Sequence, residues 1–256
     1  MTVSPLNDPV VDITDTREES SSSLVLSIPG FLQGISDIYC EDLEDRLKNF
    51  ANVASVDYWH YPRLGLVDGF SLNTILNGIN TILDRLKNET QSTDIYLIGH
   101  SLGGYFANFL QAQRDDIKGQ VLMSPIISLR EYLDQNSRVN SQTRNRSLNH
   151  FPKHLIPGSV YDETVELEEG HPIGSIIRVP TKIIYGDDDR IISTEEIKSL
   201  SRQNGGSRLV TSVVLWGQGH QINCENMKTA ANSHIEEFIN ELEFGNGYGC
   251  RQYHKG

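Results

Sequence analysis

Short apolar runs alternate with longer stretches of helical periodicity along most of this chain. Leu24 to Ile28, Val53 to Val56, Ile95 to Ile98, Val121-Leu122-Met123, Lys182 to Tyr185 and Leu209 to Trp216 predict strands. The segments between them carry apolar residues three and four apart. Ser36 to Phe50 (Ile38, Leu43, Leu47, Phe50), Ser71 to Leu86 (Leu72, Ile75, Leu76, Ile79, Ile82, Leu83), Ser101 to Ala112, Thr194 to Arg202 and Ile222 to Leu242 predict helices. Strands that are apolar along their whole length, set between helices, predict an α/β fold. Its sheet is mostly parallel and covered on both faces. Right-handed crossovers then bring every loop that follows a strand to one edge of the sheet, where ligands bind.

Three segments break the alternation. Residues 1–23 are polar and acidic, ending in four serines, and read as a flexible lead-in, with Val10-Val11-Asp12-Ile13 a candidate edge strand. Residues 125–179 form a long irregular insert, a cap or lid, within a single domain over 24–244. Residues 245–256 are glycine-rich and read as a flexible tail.

Composition narrows the partners. A net charge of −12 over 256 residues argues against nucleic acid and anionic membrane surfaces. No stretch is long and apolar enough for a transmembrane helix. Met1 to Pro5 lacks the basic start and apolar core of a signal peptide. Cys40, Cys224 and Cys250 are an odd set without metal-like spacing, which suits free thiols in a cytoplasmic protein. His150 and His154 have i, i+4 spacing, but Pro152 between them disrupts the helix a metal pair would need. Neither a metal nor a cofactor is expected, and the oligomeric state is open.

The chemistry is concentrated in Gly99-His100-Ser101-Leu102-Gly103, which follows the run Ile95 to Ile98 and opens a helix. A serine in so tight a strand-to-helix turn is held at strained angles with its hydroxyl exposed, and glycines on either side supply the room. Gly104 allows close packing of that helix on a strand. Two further loops carry ionisable residues after predicted strands. One is Gly186-Asp187-Asp188-Asp189, the other Gly217-Gln218-Gly219-His220.

From Leu24 to Leu242 these features resemble the α/β-hydrolase superfamily, in particular its small esterase, lipase and serine-aminopeptidase-like members. The resemblance rests on Gly-His-Ser-Leu-Gly-Gly at 99–104, Gly186 to Asp189, and Gly219-His220. It implies a nucleophile elbow at Ser101, with Asp189 as the acid and His220 as the base, in the family's chain order. Asp187 and Asp188 stand close enough to compete for the acid's role. Of the other histidines, His100 lies inside the elbow and is expected to point away from the serine hydroxyl, His234 falls mid-helix, His254 is in the tail, and His60, His150, His154 and His171 lie on loops without the strand-end placement. The resemblance further implies an oxyanion hole from the backbone N–H groups of Leu102 and Phe31. Many relatives have His-Gly where this chain has Pro29-Gly30. A serine nucleophile sets the chain apart from the branches that use Asp, the dehalogenases and epoxide hydrolases.

The insert is polar rather than an apolar lid, which tilts the expectation toward a soluble substrate. Its first half is basic (Arg138, Arg144, Arg146, Lys153). Its second half is acidic (Asp162, Glu163, Glu166, Glu168, Glu169). The two halves either pair with each other or leave the basic one to steer an anionic group. Leu32, Tyr58, Trp59 and Ile126, with Phe31 and Tyr61, fall near strand ends as candidate walls of an acyl pocket. The expected activity is hydrolysis of a small to medium carboxylic ester through an acyl-enzyme. A thioesterase or acyltransferase with the same triad is the alternative. A peptidase or a catalytically silent ligand-binding fold ranks lower.

Overall fold

The apolar runs become the centre of a seven-stranded sheet. The computed structural model describes residues 10–14, 22–31, 41–57, 71–150, 155–170, 177–204, 209–222 and 224–245. Strands β1 (Val10–Thr14), β2 (Ser23–Ile28) and β3 (Asn52–Asp57) alternate in sequence with helix α1 (Glu41–Leu47) between the last two. Helix α2 (Leu72–Thr90) leads to β4 (Asp94–His100), α3 (Leu102–Gln113) and β5 (Ile117–Met123). After a long insert come β9 (Thr181–Gly186), α6 (Thr194–Asn204), β10 (Val210–Leu215) and α7 (Glu225–Glu243). The insert contains α4 (Leu129–Asn136), β6 (Ser137–Val139), β7 (Arg146–Leu148), β8 (Leu155–Ile156) and α5 (Gly158–Gly170).

The spatial order is β1-β3-β2-β4-β5-β9-β10, parallel throughout except for the antiparallel edge pair of β1 with β3. Val10–Thr14 is thus an edge strand inside the expected lead-in and Ser23 at its end opens β2, while residues 1–9 and 15–21 lie outside the described residues. So do residues 246–256 of the tail, Cys40 and Cys250, whereas Cys224 is exposed. No described helix is long and apolar enough to cross a membrane.

Alternation along each strand divides the core between the two faces of the sheet. Leu24, Leu26, Ile95, Leu97, Leu122 and Ile183 pack with α2, α3 and α6 on one face. Val25, Tyr96, Ile98, Val121, Met123 and Ile184 pack with α1 and α7 on the other. Helix α3 is apolar nearly all round because it is buried from Leu102 to Gln111. Tyr105, Phe106 and Phe109 are its largest buried side chains.

The insert is more ordered than its composition predicts. Strands β6, β7 and β8 form a small antiparallel sheet beside α4 and α5. Its acidic half does not simply neutralise the basic half. Glu163 accepts hydrogen bonds from Ser71 Oγ (3.1 Å) and the Asn73 amide (3.2 Å) at the start of α2. Glu168 accepts from Ser128 Oγ (2.9 Å) and the Leu129 and Arg130 amides (2.8 and 3.2 Å) at the start of α4. Both carboxylates sit where unpaired helix N–H groups and the positive dipole end favour an anion, and they tie α5 to its neighbours. Arg144 pairs with Asp162 at 2.7 Å on the surface, whereas Arg146 turns inward to Asp134 (3.3 Å) and lies 3.8 Å over the Tyr161 ring.

A second electrostatic clamp closes the bottom of the sheet. Asp116 receives a bidentate pair from Arg114 (2.9 and 2.8 Å) and Lys87 at 2.7 Å, joining the turn before β5 to α2. Arg114 first and Lys87 second hold its carboxyl down at about 2, against the opposing effect of burial. Because the folded value lies below the unfolded one, the stabilisation is present above the ordinary carboxylate range and disappears as pH falls through about 2. Asp116→Asn is therefore expected to cost roughly 1–2 kcal/mol at pH 7, allowing for solvent screening, and almost nothing at pH 2. Urea titrations at the two pH values measure the difference.

Candidate active site

Between β4 and α3 the chain turns within one residue, and Ser101 takes the strain at φ 52°, ψ −114°. The backbone around it is locked. Ser101 N donates to Met123 O (2.9 Å), and Ser101 O accepts from Ile126 N (3.1 Å) and Gly104 N (3.1 Å). The glycines are required by close approach. A Cβ on Gly99 would lie 2.7 Å from Gly104 Cα, and one on Gly103 would fall inside the carbonyl oxygen of Ile28. The β2 end that leads into Phe31 therefore lies against the first turn of α3, next to Leu102. Phe31 itself is half-buried and packs on the core.

Two neighbouring strand ends supply the remaining groups. Gly186 lets the loop after β9 touch the loop after β10, since a Cβ there would collide with the Gln218 carbonyl. The three aspartates that follow take different partners. Asp187 Oδ1 accepts the Gly217 amide at 2.5 Å and so holds the next loop. Asp188 is exposed and pairs with exposed Arg190 at 3.3 Å. Asp189 is fully buried at its side chain, with Oδ1 accepting the Ile191 and Ile192 amides, each at 2.9 Å.

The other oxygen of Asp189, Oδ2, lies 2.9 Å from His220 Nδ1, and His220 Nε2 lies 2.9 Å from Ser101 Oγ. Burial pushes the Asp189 carboxyl up, but the His220 hydrogen bond and the two amides outweigh it and leave it below the ordinary range. A buried anion thus faces one imidazole nitrogen, while the other faces a hydroxyl at the start of a helix. Such a chain can take a proton from the hydroxyl and stabilise the resulting imidazolium.

The structure also places a residue that sequence reasoning set aside. His100 is buried, its Nε2 lies 3.0 Å from the main-chain oxygen of His220, and the two rings stand 5.1 Å apart. The motif pointed its side chain away from the hydroxyl; its contact with the partner loop had no local signal. Ile126 is 6% exposed, packs in the core and donates its amide to Ser101 O. Leu32, Tyr58, Trp59 and Tyr61 lie outside the described residues, as do His60, His154, His171 and His254. His150 is exposed, and His234 lies on α7 at 3.6 Å from Glu237.

Comparison with solved structures decides the architecture. Est1E from Butyrivibrio proteoclasticus superposes with a TM-score of 0.72 at 18% identity, over 92% of this chain and 93% of that one. The chain has the α/β-hydrolase fold. Alpha/beta hydrolase domain-containing protein 10 from mouse is also similar (TM-score 0.63, 15% identity, 86% and 90% covered). So is a Paleococcus ferrophilus monoacylglycerol lipase (TM-score 0.59, 18% identity, 84% and 93% covered). Residues 63–169 match the family described as serine aminopeptidase, S33. No curated protein matches the sequence. In this fold the insert of α4, β6 to β8 and α5 occupies the chain between β5 and β9.

The contacts at the glycines give a direct test of the site's construction. Gly103→Ala is expected to cost roughly 1–3 kcal/mol through forced backbone displacement. Gly170→Ala, at a position with open space around it, is expected to leave stability unchanged. Urea denaturation of the two variants checks both.

Proposed function

We propose that this α/β-hydrolase is a serine hydrolase acting on carboxylic esters of small to medium acyl chain. The observation that carries the reading is the continuous relay from Asp189 Oδ2 to His220 Nδ1 and from His220 Nε2 to Ser101 Oγ, each link 2.9 Å. The solved structures support the ester class, since they include a monoacylglycerol lipase and Est1E with ferulic acid bound.

In this mechanism His220 takes the Ser101 proton as Oγ attacks the ester carbonyl carbon. The carbonyl oxygen becomes an oxyanion held by the N–H groups of Leu102 and Phe31. The tetrahedral adduct collapses, the C–O bond to the alcohol breaks, and His220 protonates the departing alkoxide. Water then repeats the sequence on the acyl-Ser101 ester, giving the carboxylic acid and free Ser101. Asp189 remains ionised throughout and stabilises the His220 cation in the orientation that points Nε2 at the hydroxyl.

Initial rates on p-nitrophenyl esters of increasing acyl length test the proposal. Ser101→Ala is expected to abolish turnover while the fold persists, and undiminished turnover would remove the reading. Asp189→Asn is expected to lower kcat by about 10⁴-fold. Asp188→Asn is expected to leave it unchanged, because that exposed carboxylate pairs with the exposed Arg190 beside it. A folded protein with no turnover on any of these esters would favour a thioester substrate or a silent binding fold.

A further inference from the structure

We propose that His100 is a positioning residue for the proposed reaction: its Nε2–H, donated to the main-chain oxygen of His220, fixes the base against the nucleophile. This rests on the serine-hydrolase reading above and adds a residue to it.

Topology creates the need. Ser101 follows β4 and His220 follows β10, and two strands, β5 and β9, separate them in the sheet. The ladder therefore sets the Ser101–His220 distance only through three successive strand pairings. The loop that carries His220 is also intrinsically loose, with Gly217 at φ +72° and Gly219 one residue before the base. On the β9 side this loop is held by Asp187 on the Gly217 amide and by Asp188 N on Gln218 O at 3.0 Å. On the β4 side the contact is His100 Nε2 on His220 O at 3.0 Å, from the residue directly before Ser101. One short bond thus joins the neighbour of the nucleophile to the backbone of the base.

The chemistry of the contact fixes its protonation. A carbonyl oxygen accepts and never donates, so Nε2 must carry the hydrogen. Burial first, and repulsion from a charged His220 second, push the His100 imidazole down to about 4, so it stays neutral at working pH. A neutral donor is what the site requires. A second imidazolium with its ring 5.1 Å from His220 would oppose the cation that forms during proton transfer.

Since displacement of a catalytic group by about 1 Å can cost about 100-fold, His100→Leu is expected to lower kcat about 10- to 100-fold with KM changed less than about threefold. His100→Gln, whose amide N–H reaches a similar point, is expected to recover kcat to within about fivefold of wild type. A residue that only filled space would not distinguish Gln from Leu. The resonance of the His220 Nδ1–H proton is expected to persist in the Gln variant and broaden in the Leu variant. Wild-type protein supplies an arm that no folding failure can obscure: ¹⁵N NMR of the imidazoles is expected to show His100 as the Nε2–H tautomer. The Nδ1–H tautomer, an unchanged kcat in folded His100→Leu, or equal losses in Leu and Gln would each overturn the inference. Failure of the hydrolase reading looks different, as ester turnover that is absent in wild type or persists in Ser101→Ala.

Discussion

Everything in this molecule that bears on chemistry depends on the absence of side chains around the turn from β4 into α3. Gly99, Gly103 and Gly104 let the β4 end, the α3 start, the β2 end and Pro125 come within contact distance of one another. Only that closeness holds Ser101 at φ 52°, a conformation costing roughly 1–3 kcal/mol that persists when its surroundings over-determine it. The surroundings here are backbone hydrogen bonds to Met123, Ile126 and Gly104, and a helix buried along ten consecutive residues. The hydroxyl is thereby presented at the strand-end edge of the sheet, where the loops after β9 and β10 also arrive.

The electrostatics around that hydroxyl follow from burial. Asp189 is a buried anion made tolerable by two amides and an imidazole, and His100 is a buried imidazole held neutral. Charge is thus concentrated on one side of His220 and withheld on the other. The insert is anchored by the same physics, with Glu163 and Glu168 placed on the exposed N–H groups of α2 and α4. Glu163 thus ties the polar cap to the body at the start of α2, Glu168 ties α5 to α4 within the cap, and the cap's acidic residues are partly structural.

Much of the architecture could be read from periodicity, because strands buried on both faces are written as unbroken apolar runs. Where that pattern is interrupted, the reading falls short. Strand β5 begins at Ile117, four residues before the expected start at Val121, since Lys118, Gly119 and Gln120 interrupt the run. Gln120 is nonetheless buried, its Nε2 donating to Asn108 Oδ1 and Thr181 Oγ1 (3.3 and 3.1 Å), so a polar side chain whose partners lie elsewhere in the sequence passes for a loop residue. The apolar run predicts a last strand that includes Trp216, which instead stands 73% exposed in the turn beyond Leu215. Among the three adjacent aspartates only the family resemblance singles out Asp189, because what separates them physically is the direction each side chain takes in a loop only a few residues long. The contact of His100 with the His220 loop has no signal in the sequence, since its partner is 120 residues away and is a backbone oxygen, which no motif encodes.

The central claim is that Ser101 is the nucleophile, activated by His220. Its most direct test is reaction of the wild-type protein with a fluorophosphonate, followed by peptide mass spectrometry. The account predicts stoichiometric modification of Ser101 in parallel with loss of ester turnover, and suppression of both in a folded His220→Ala variant. Modification of a different residue, or turnover that survives full modification of Ser101, would contradict it.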